Sequence, residues 1–312
     1  MAEGEETAAL PGGTRLDRYQ VVEHLGGGGF SQVYLALDPA GEAVVLKEYL
    51  PRRFAHRDAS GQVVPRGEEE AARLQRGRAL FFQEAAALAQ LDHPGIVRVL
   101  GFFRALGTVY LVMEHVPGIS LERRIGDGAR FDQAGLLEVF VPVLEALEYL
   151  HGLGFLHLDL KPANILIRVD GRPVIIDFGA VHRQAVTRQH QAEQVTTPGF
   201  APIEQYTRSG YIGPWSDVYA VGASIRACIE GRPPVDARRR HPEDPLRPLR
   251  SLAGERFSAP FLKTVDWAME AEPVARPQDA GALRMALQSA APPDPRPGLM
   301  QRVGAVLNRA RQ

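Results

Sequence analysis

A chain of 312 residues, 45% of them hydrophobic, has room for two separate cores. Its 36 basic and 37 acidic residues nearly cancel, which excludes recruitment of nucleic acid or a membrane by bulk charge. A single cysteine excludes a disulfide scaffold and thiolate-rich metal sites, and no apolar run reaches the roughly 18 residues of a membrane helix.

Residues 1–15 are rich in Glu, Ala, Gly and Thr without an apolar period, and a disordered leader is expected there. The N-terminus lacks the basic-then-apolar order of a signal peptide, and Cys228 lies in an apolar helical run. Both point to a reducing compartment, the cytoplasm. Two strand-like runs, 19–25 and 33–37, flank Gly26-Gly27-Gly28-Gly29-Phe30-Ser31-Gln32. Such a run lets backbone approach a ligand closely, although a glycine-rich hairpin alone is more often a plain turn. Val44-Val45-Leu46-Lys47 then ends an apolar strand in a lysine, which is costly to bury without an anion. Glu84, in the helix-forming run 81–88, is the candidate partner; a surface lysine and a solvated glutamate are the alternative. Residues 51–67 between them are polar and punctuated by Gly and Pro. They read as an inserted loop on the helix flank, either a solvated decoration or a regulatory or docking element, and the charged run after them lengthens the helix. Runs at 93–97 and 109–114 complete an expected five-stranded antiparallel sheet.

A helix is predicted over 136–150, with Gly152 and Gly154 past its end. It leads into His157-Leu158-Asp159-Leu160-Lys161-Pro162-Ala163-Asn164. β-Branched runs at 165–167 and 174–176 flank Asp170-Gly171, a hairpin signal, and Asp177-Phe178-Gly179 follows. The hairpin brings two carboxylates, an amide and an ammonium to one place, which suits a site that binds metal phosphate and orients a hydroxyl. Further on come Thr196-Thr197-Pro198-Gly199-Phe200-Ala201-Pro202-Ile203-Glu204 and a helix starting near Pro214, with Ser216 or Asp217 near its N-cap. The loop 231–248 is basic and proline-rich; Arg238, Arg239 and Arg240 there read as a positive patch, either solvated or facing an acidic partner. Helices are predicted at 261–271 and 278–287. Four prolines in 290–298 read as a linker. Met300, Val303, Val306 and Leu307 then recur at helical spacing among Arg302, Arg309 and Arg311, a short amphipathic helix that docks back or meets a partner or membrane surface.

The blocks from His157 to Gly179, with Lys47 before them and Glu204 after, resemble the catalytic and metal-binding loops of bacterial eukaryotic-like (Hanks-type) Ser/Thr protein kinases, in spacing as well as type. The resemblance covers about residues 19–289. It implies an α+β, two-lobed kinase fold: a small antiparallel lobe with one main helix (about 16–114), a hinge (114–118) and a larger, mainly helical lobe (119–289). It implies use of ATP with Mg²⁺ or Mn²⁺. Gly26, Gly28 and Val33 would cover the nucleotide, with Ser31 where a third glycine is usual, and Lys47 fixed by Glu84 would hold the phosphates. Met113 would back the pocket, the backbone of Glu114 and Val116 would face adenine, and Leu166 would line the nucleotide site. Asp159 would orient the acceptor hydroxyl, Lys161 would steady the γ-phosphate, and Asn164 and Asp177 would hold the metal. His157, Phe178 and Gly179 would align the loops. Thr197 would contact Asp159 and Lys161, Glu204 would pair with a buried Arg276, and Asp217 would anchor the catalytic loop.

The family's closing segment, which related small-molecule kinases lack, implies a protein substrate with a Ser or Thr acceptor, and bacterial members are often countered by a phosphatase. The departure is Leu158, where most regulated kinases carry an arginine that pairs with a phosphate on the activation segment. Phosphorylation at Thr187 or Thr196, the candidate phosphosites, is therefore not expected to be required. A pseudokinase-like nucleotide-binding scaffold is the alternative function.

Overall fold

The structure is a computed structural model that describes residues 9–177, 182–183, 196–207, 210–240, 243–254 and 256–290, leaving aside the side chains of 84, 87, 182 and 183. The helix expected beyond residue 290 and the start of the leader lie outside these residues. The chain divides into two compact units, one formed by residues 1–92 and 97–116 and the other by 93–96 and 117–312.

The first unit is built on β1 (Arg15–Leu16), β2 (Tyr19–Gly27), β3 (Ser31–Leu37), β4 (Ala43–Tyr49), β5 (Ala55–Arg57), β6 (Val63–Pro65), α1 (Glu68–Leu88), β7 (Val99–Ala105) and β8 (Thr108–Glu114). Six strands form one antiparallel sheet in the order β1-β2-β3-β4-β8-β7. Because strand side chains alternate, Tyr34, Ala36, Val44, Leu46, Tyr110 and Val112 share one face and bury a core with Tyr19 and Val21. Leu10 and Leu16 complete that core. The leader is thus shorter than the expected 1–15: Leu10 is buried, its amide donates to Tyr34 Oη (3.2 Å), and β1 pairs with β2. An alanine-rich segment with one leucine carries no period, so its packing was not readable.

Two other expectations change. The strand placed at 93–97 lies at Val99–Ala105 instead, because residues 93–96 turn away into the second unit, where Ile96 bridges Ile175. The sheet has six strands, not five. Residues 51–67 are not a solvated decoration: they form the β5-β6 hairpin, and Phe54, Ala55 and Val63 are buried with Tyr49, Leu50 and Leu74. As expected, the charged run extends the helix, and Glu68, Glu69 and Glu70 complement its N-terminal dipole.

The second unit contains β9 (Gly118–Ser120), α2 (Leu121–Gly126), α3 (Gln133–Gly152), β10 (Phe155–Leu156), β11 (Ile165–Arg168), β12 (Pro173–Ile175), β13 (His182–Arg183), α4 (Pro214–Glu230), α5 (Arg250–Ala253), α6 (Ala259–Ala268) and α7 (Ala280–Ser289). The small sheets are β12-β11-β9 and β10-β13. Helix α4 is buried along nearly its whole length, and α3, α6 and α7 pack against it. Caps move the helix starts from their expected places. Asp132 accepts from the Gly135 amide (2.9 Å), so α3 begins before residue 136, and Asp279 accepts from Ala282 (2.7 Å), so α7 begins at Ala280. Pro214, with its fixed φ, opens α4 behind Gly213.

The expected Arg238–Arg240 patch is not a patch. Arg240 is buried and bonds Asp244 and the Met269 carbonyl, Arg238 pairs with Asp236 at 2.6 Å, and Arg239 is exposed. Cys228 is a core residue, and burial raises its thiol pKa, which makes it inert.

Candidate active site

The site in the second unit starts from a tight turn. Gly171 takes φ +86° and its amide donates to Arg168 O (2.9 Å), closing the β11-β12 hairpin in the register Ile165↔Ile175 and Leu166↔Val174. One step past the strands, the Ile176 amide donates to Asn164 O (2.9 Å). The polar loop before β11 and the aspartate after β12 are therefore stitched together at the open end of the hairpin.

Within that loop the polar groups converge. Asp159 Oδ2 accepts from Lys161 Nζ at 2.8 Å, and Asp159 Oδ1 accepts from Thr197 Oγ1 at 2.6 Å. Lys161 Nζ also donates to Thr197 Oγ1 (2.9 Å), closing a triangle. Asn164 is buried and its Nδ2 donates to the Asp159 carbonyl (2.8 Å), which leaves Oδ1 as its ligating atom. With the Asp177 carboxylate just past Ile176, that gives two hard oxygen donors on adjoining segments, a set that suits Mg²⁺ sharing its shell with phosphate. Among the described residues, no cluster of three or more His, Cys, Asp or Glu forms a self-sufficient metal cage. The donors present fit a metal that arrives with its phosphate ligand.

A buried frame holds the loop. Asp217, on the first turn of α4, accepts from the amides of His157 (2.9 Å) and Leu158 (2.7 Å) and bonds His151 Nε2 at 2.8 Å. Burial alone would raise its pKa, but the hydrogen bond and charge of His151 and the bond from the His157 amide bring it below the ordinary aspartate value. His157 is fully buried, and desolvation lowers its pKa, so the ring is neutral with Nδ1 accepting from the Asp159 amide (3.3 Å). Leu158 and Asp177 have φ of +61° and +64°. A leucine there stores about 1–3 kcal/mol of strain, which the two Asp217 bonds and a third from Gln205 Nε2 to Leu158 O (2.8 Å) counteract. The Leu158 side chain packs with Leu156 and Ile212.

Glu204 and Arg276 form a bidentate pair at 2.7 and 3.1 Å, both buried. Ser216 Oγ donates to Glu204 Oε1 (2.9 Å), and Arg276 also donates to Glu270 O and Ala271 O.

The predicted residues of the first unit form their own row. Gly26 pairs with Val33, Val33 with Lys47 and Lys47 with Leu111, across four strands and on one face. Lys47 is 3% exposed. Glu84 lies on α1, with its side chain outside the described atoms. Gly28 closes the loop through its amide to Ser31 O (2.9 Å), and Glu114 ends β8 with its amide on Arg98 O, followed by a buried Val116. Leu166 is half-buried on β11 between Ser120 and Val174. Phe178, Gly179 and Thr187 lie outside the described residues; Thr196 is half-buried beside Thr197. Gln205, Ser216 and His151 were missed as site residues: each acts through one side-chain bond to a residue distant in sequence, and no local pattern signals that.

Residues 19–278 match the family model described as the protein kinase domain. Serine/threonine-protein kinase C of Synechocystis sp. is 30% identical over 230 residues, 70% of this chain and 40% of that protein. Serine/threonine-protein kinase PknB of Mycobacterium tuberculosis is 30% identical over 281 residues, 86% of this chain and 42% of that protein. The chain thus spans about 40% of the length of these relatives. A solved structure described as "PpkA-294 apo form" superposes with a TM-score of 0.78 at 34% identity, covering 90% of this chain and all of that one.

Proposed function

Since the chain belongs to the protein kinase family, in its bacterial Hanks-type Ser/Thr branch, we propose that it transfers the γ-phosphate of ATP to Ser or Thr hydroxyls of protein substrates. The observation that carries this reading is the Asp159–Lys161–Thr197 triangle. There a hydroxyl already donates to Asp159 at 2.6 Å, the geometry an acceptor hydroxyl needs. Asp159 orients the incoming hydroxyl and takes up its proton as the oxygen bonds phosphorus and ADP leaves. Lys161 holds Asp159 in place and offsets negative charge on the phosphoryl group. Lys47 binds the α- and β-phosphates from its buried place on β4, and the backbone of Glu114 and Val116 faces adenine. Asn164 Oδ1 and Asp177 hold Mg²⁺ or Mn²⁺, which when bound neutralises phosphate charge. ATP chemistry and a buried free thiol both suit the cytoplasm, and a phosphatase would reverse the product.

Leu158 shapes the regulation in this reading. It offers no cation to a phosphate, and its loop is held by Asp217 and Gln205 instead. The site is therefore assembled without phosphate on Thr187 or Thr196.

Purified protein incubated with labelled ATP and Mg²⁺, beside Asp177→Ala, tests the reading by mass spectrometry. Phosphate on Ser or Thr of itself or a generic basic protein is expected in the wild type only. Nucleotide-induced thermal stabilisation without transfer by the wild type would overturn it in favour of a scaffold that binds nucleotide.

A further inference from the structure

The β5-β6 hairpin of the first unit is tied to β4, to α1 and to the turn between β7 and β8, and the segment that leads into it holds the glycine-rich loop. A run of four glycines does not specify its own conformation, since each loses more backbone freedom on ordering than any other residue. Here the tip of that run is fixed from outside: the Leu50 amide donates to Phe30 O and the Arg52 amide to Gly29 O, both at 2.8 Å. Those two donors lie where β4 passes into the insertion. The hairpin in turn is packed on α1, where Leu74 and Phe81 meet Phe54, Ala55 and Val63, and Arg78 Nη2 donates to Val63 O (2.8 Å). Its far edge is held by the Val63 amide on Leu106 O (2.8 Å).

One charged contact joins the hairpin to the strand of Lys47. Glu48 points to the opposite face from Lys47, the face that carries the sheet's core, and is fully buried. Its Oε2 takes Arg57 Nη2 at 2.5 Å and Tyr34 Oη at 2.9 Å, and its Oε1 takes Tyr110 Oη at 2.5 Å. Arg57 belongs to β5, and its Nη1 also braces its own turn at Gly61 O (2.8 Å). Among the described contacts, this is the ion pair between the hairpin and β4.

We propose that Arg57 is a positioning residue for nucleotide binding: by seating the hairpin on Glu48 it sets the segment 50–52 that holds the glycine-rich tip, and it fixes β4 beside Lys47. The inference rests on the kinase reading, because it gives these two elements a shared ligand. It assigns the insertion an internal task rather than a docking one.

The test compares the full chain with Arg57→Ala and Arg57→Lys, reading the Kd of a fluorescent ATP analogue with Mg²⁺, KM for ATP against kcat, and hydrogen exchange of amides 26–32. A loop and strand no longer fixed in advance must be ordered when the nucleotide binds, which lowers affinity, so a rise of about tenfold in Kd and KM for ATP is expected in Arg57→Ala. The maximal rate changes less, amides 26–32 exchange faster while those of α3 and α4 do not, and Arg57→Lys restores much of the affinity. Should Arg57→Ala not fold, the pair Glu48→Gln with Arg57→Met removes both charges together and is expected to show the same loss of affinity. A folded variant with wild-type Kd, KM and exchange at 26–32 overturns the proposal. Absence of nucleotide binding in the wild type would instead bring down the kinase reading, and this inference with it.

Discussion

Among the described residues, each unit holds a glutamate-arginine pair shielded from water, Glu204–Arg276 in the second and Glu48–Arg57 in the first, and the two are built differently. Glu204 and Arg276 are 72 residues apart and meet in two parallel bonds, with Arg276 capping three further carbonyls. Glu48 and Arg57 are 9 residues apart and meet in one, with two tyrosine hydroxyls sharing the carboxylate. The first pair ties distant segments of a unit together; the second seats one insertion on its neighbouring strand. Burying a charge is favourable only when partners replace water, and the two units reach that condition by different means. One uses a guanidinium fork; the other uses neutral hydroxyls, whose protons are held firmly because burial and then the Glu48 charge raise both tyrosine pKa values.

The largest expected effect separates the second unit's frame from its chemistry. Asp159 contributes nothing to the Glu204 or Asp217 bonds, so Asp159→Asn should slow phosphoryl transfer by roughly 10²–10⁴-fold and leave the urea midpoint near wild type. An unchanged rate would remove Asp159 from its role. Next comes Arg276→Ala, which strands Glu204 with only Ser216 and orphans carbonyls of 215, 270 and 271. A loss of about 3–5 kcal/mol is expected from urea unfolding. Arg57→Ala should cost less, because Glu48 keeps two donors. If the order of the two variants were reversed, the contrast between fork and hydroxyls would be wrong.

Acid should act on the second unit's frame in two steps. His157 has a lowered pKa in the folded chain, so below about 6.5 the unfolded state binds a proton that the native state refuses, and stability falls with pH. Asp217 also has a lowered pKa, so its contribution is present above about pH 4 and is lost as pH falls from there through the native value. Each proton amounts to at most about 1.4 kcal/mol per pH unit. Urea midpoints should therefore decline as pH falls below about 6.5, less so in His157→Phe, and Asp217→Asn should flatten the further fall below about pH 4. Parallel curves for wild type and His157→Phe would rule out that residue as the source.

The same contrast explains what could be read from the sequence. Glu204 and Arg276 stand in motif blocks whose spacing is recognisable, and so do Asp159, Lys161, Asn164 and Asp217; the structure brings Glu204 to Arg276, Asp159 and Lys161 to Thr197, and Asp217 to the amides of His157 and Leu158. Arg57 stands in a polar stretch full of Gly and Pro, where composition says loop. Its partner Glu48 directly follows Lys47 on the same strand and carries no local sign of burial. The sheet's period of two makes either face available to either residue, and only the third dimension shows that Leu10, Leu16 and the tyrosines cover the face of Glu48. The left-handed φ of Leu158 was equally hidden, since leucine carries no preference for it.

Leu158 frames the smallest expected effect, a null one. Its carbonyl is held by Gln205 and its amide by Asp217, and its side chain is buried against Leu156 and Ile212. In the proposed reading these bonds take the place of an arginine-phosphate pair. Thr187→Ala with Thr196→Ala should then transfer phosphate to an outside substrate at the wild-type rate, measured with protein pretreated with phosphatase. Thr197→Val is the internal contrast, because Thr197 lies inside the Asp159–Lys161 triangle and its neighbour does not. A double alanine variant as slow as Thr197→Val would mean that phosphate on the segment does assemble this site, and that the Asp217 and Gln205 bonds alone are too weak to hold it.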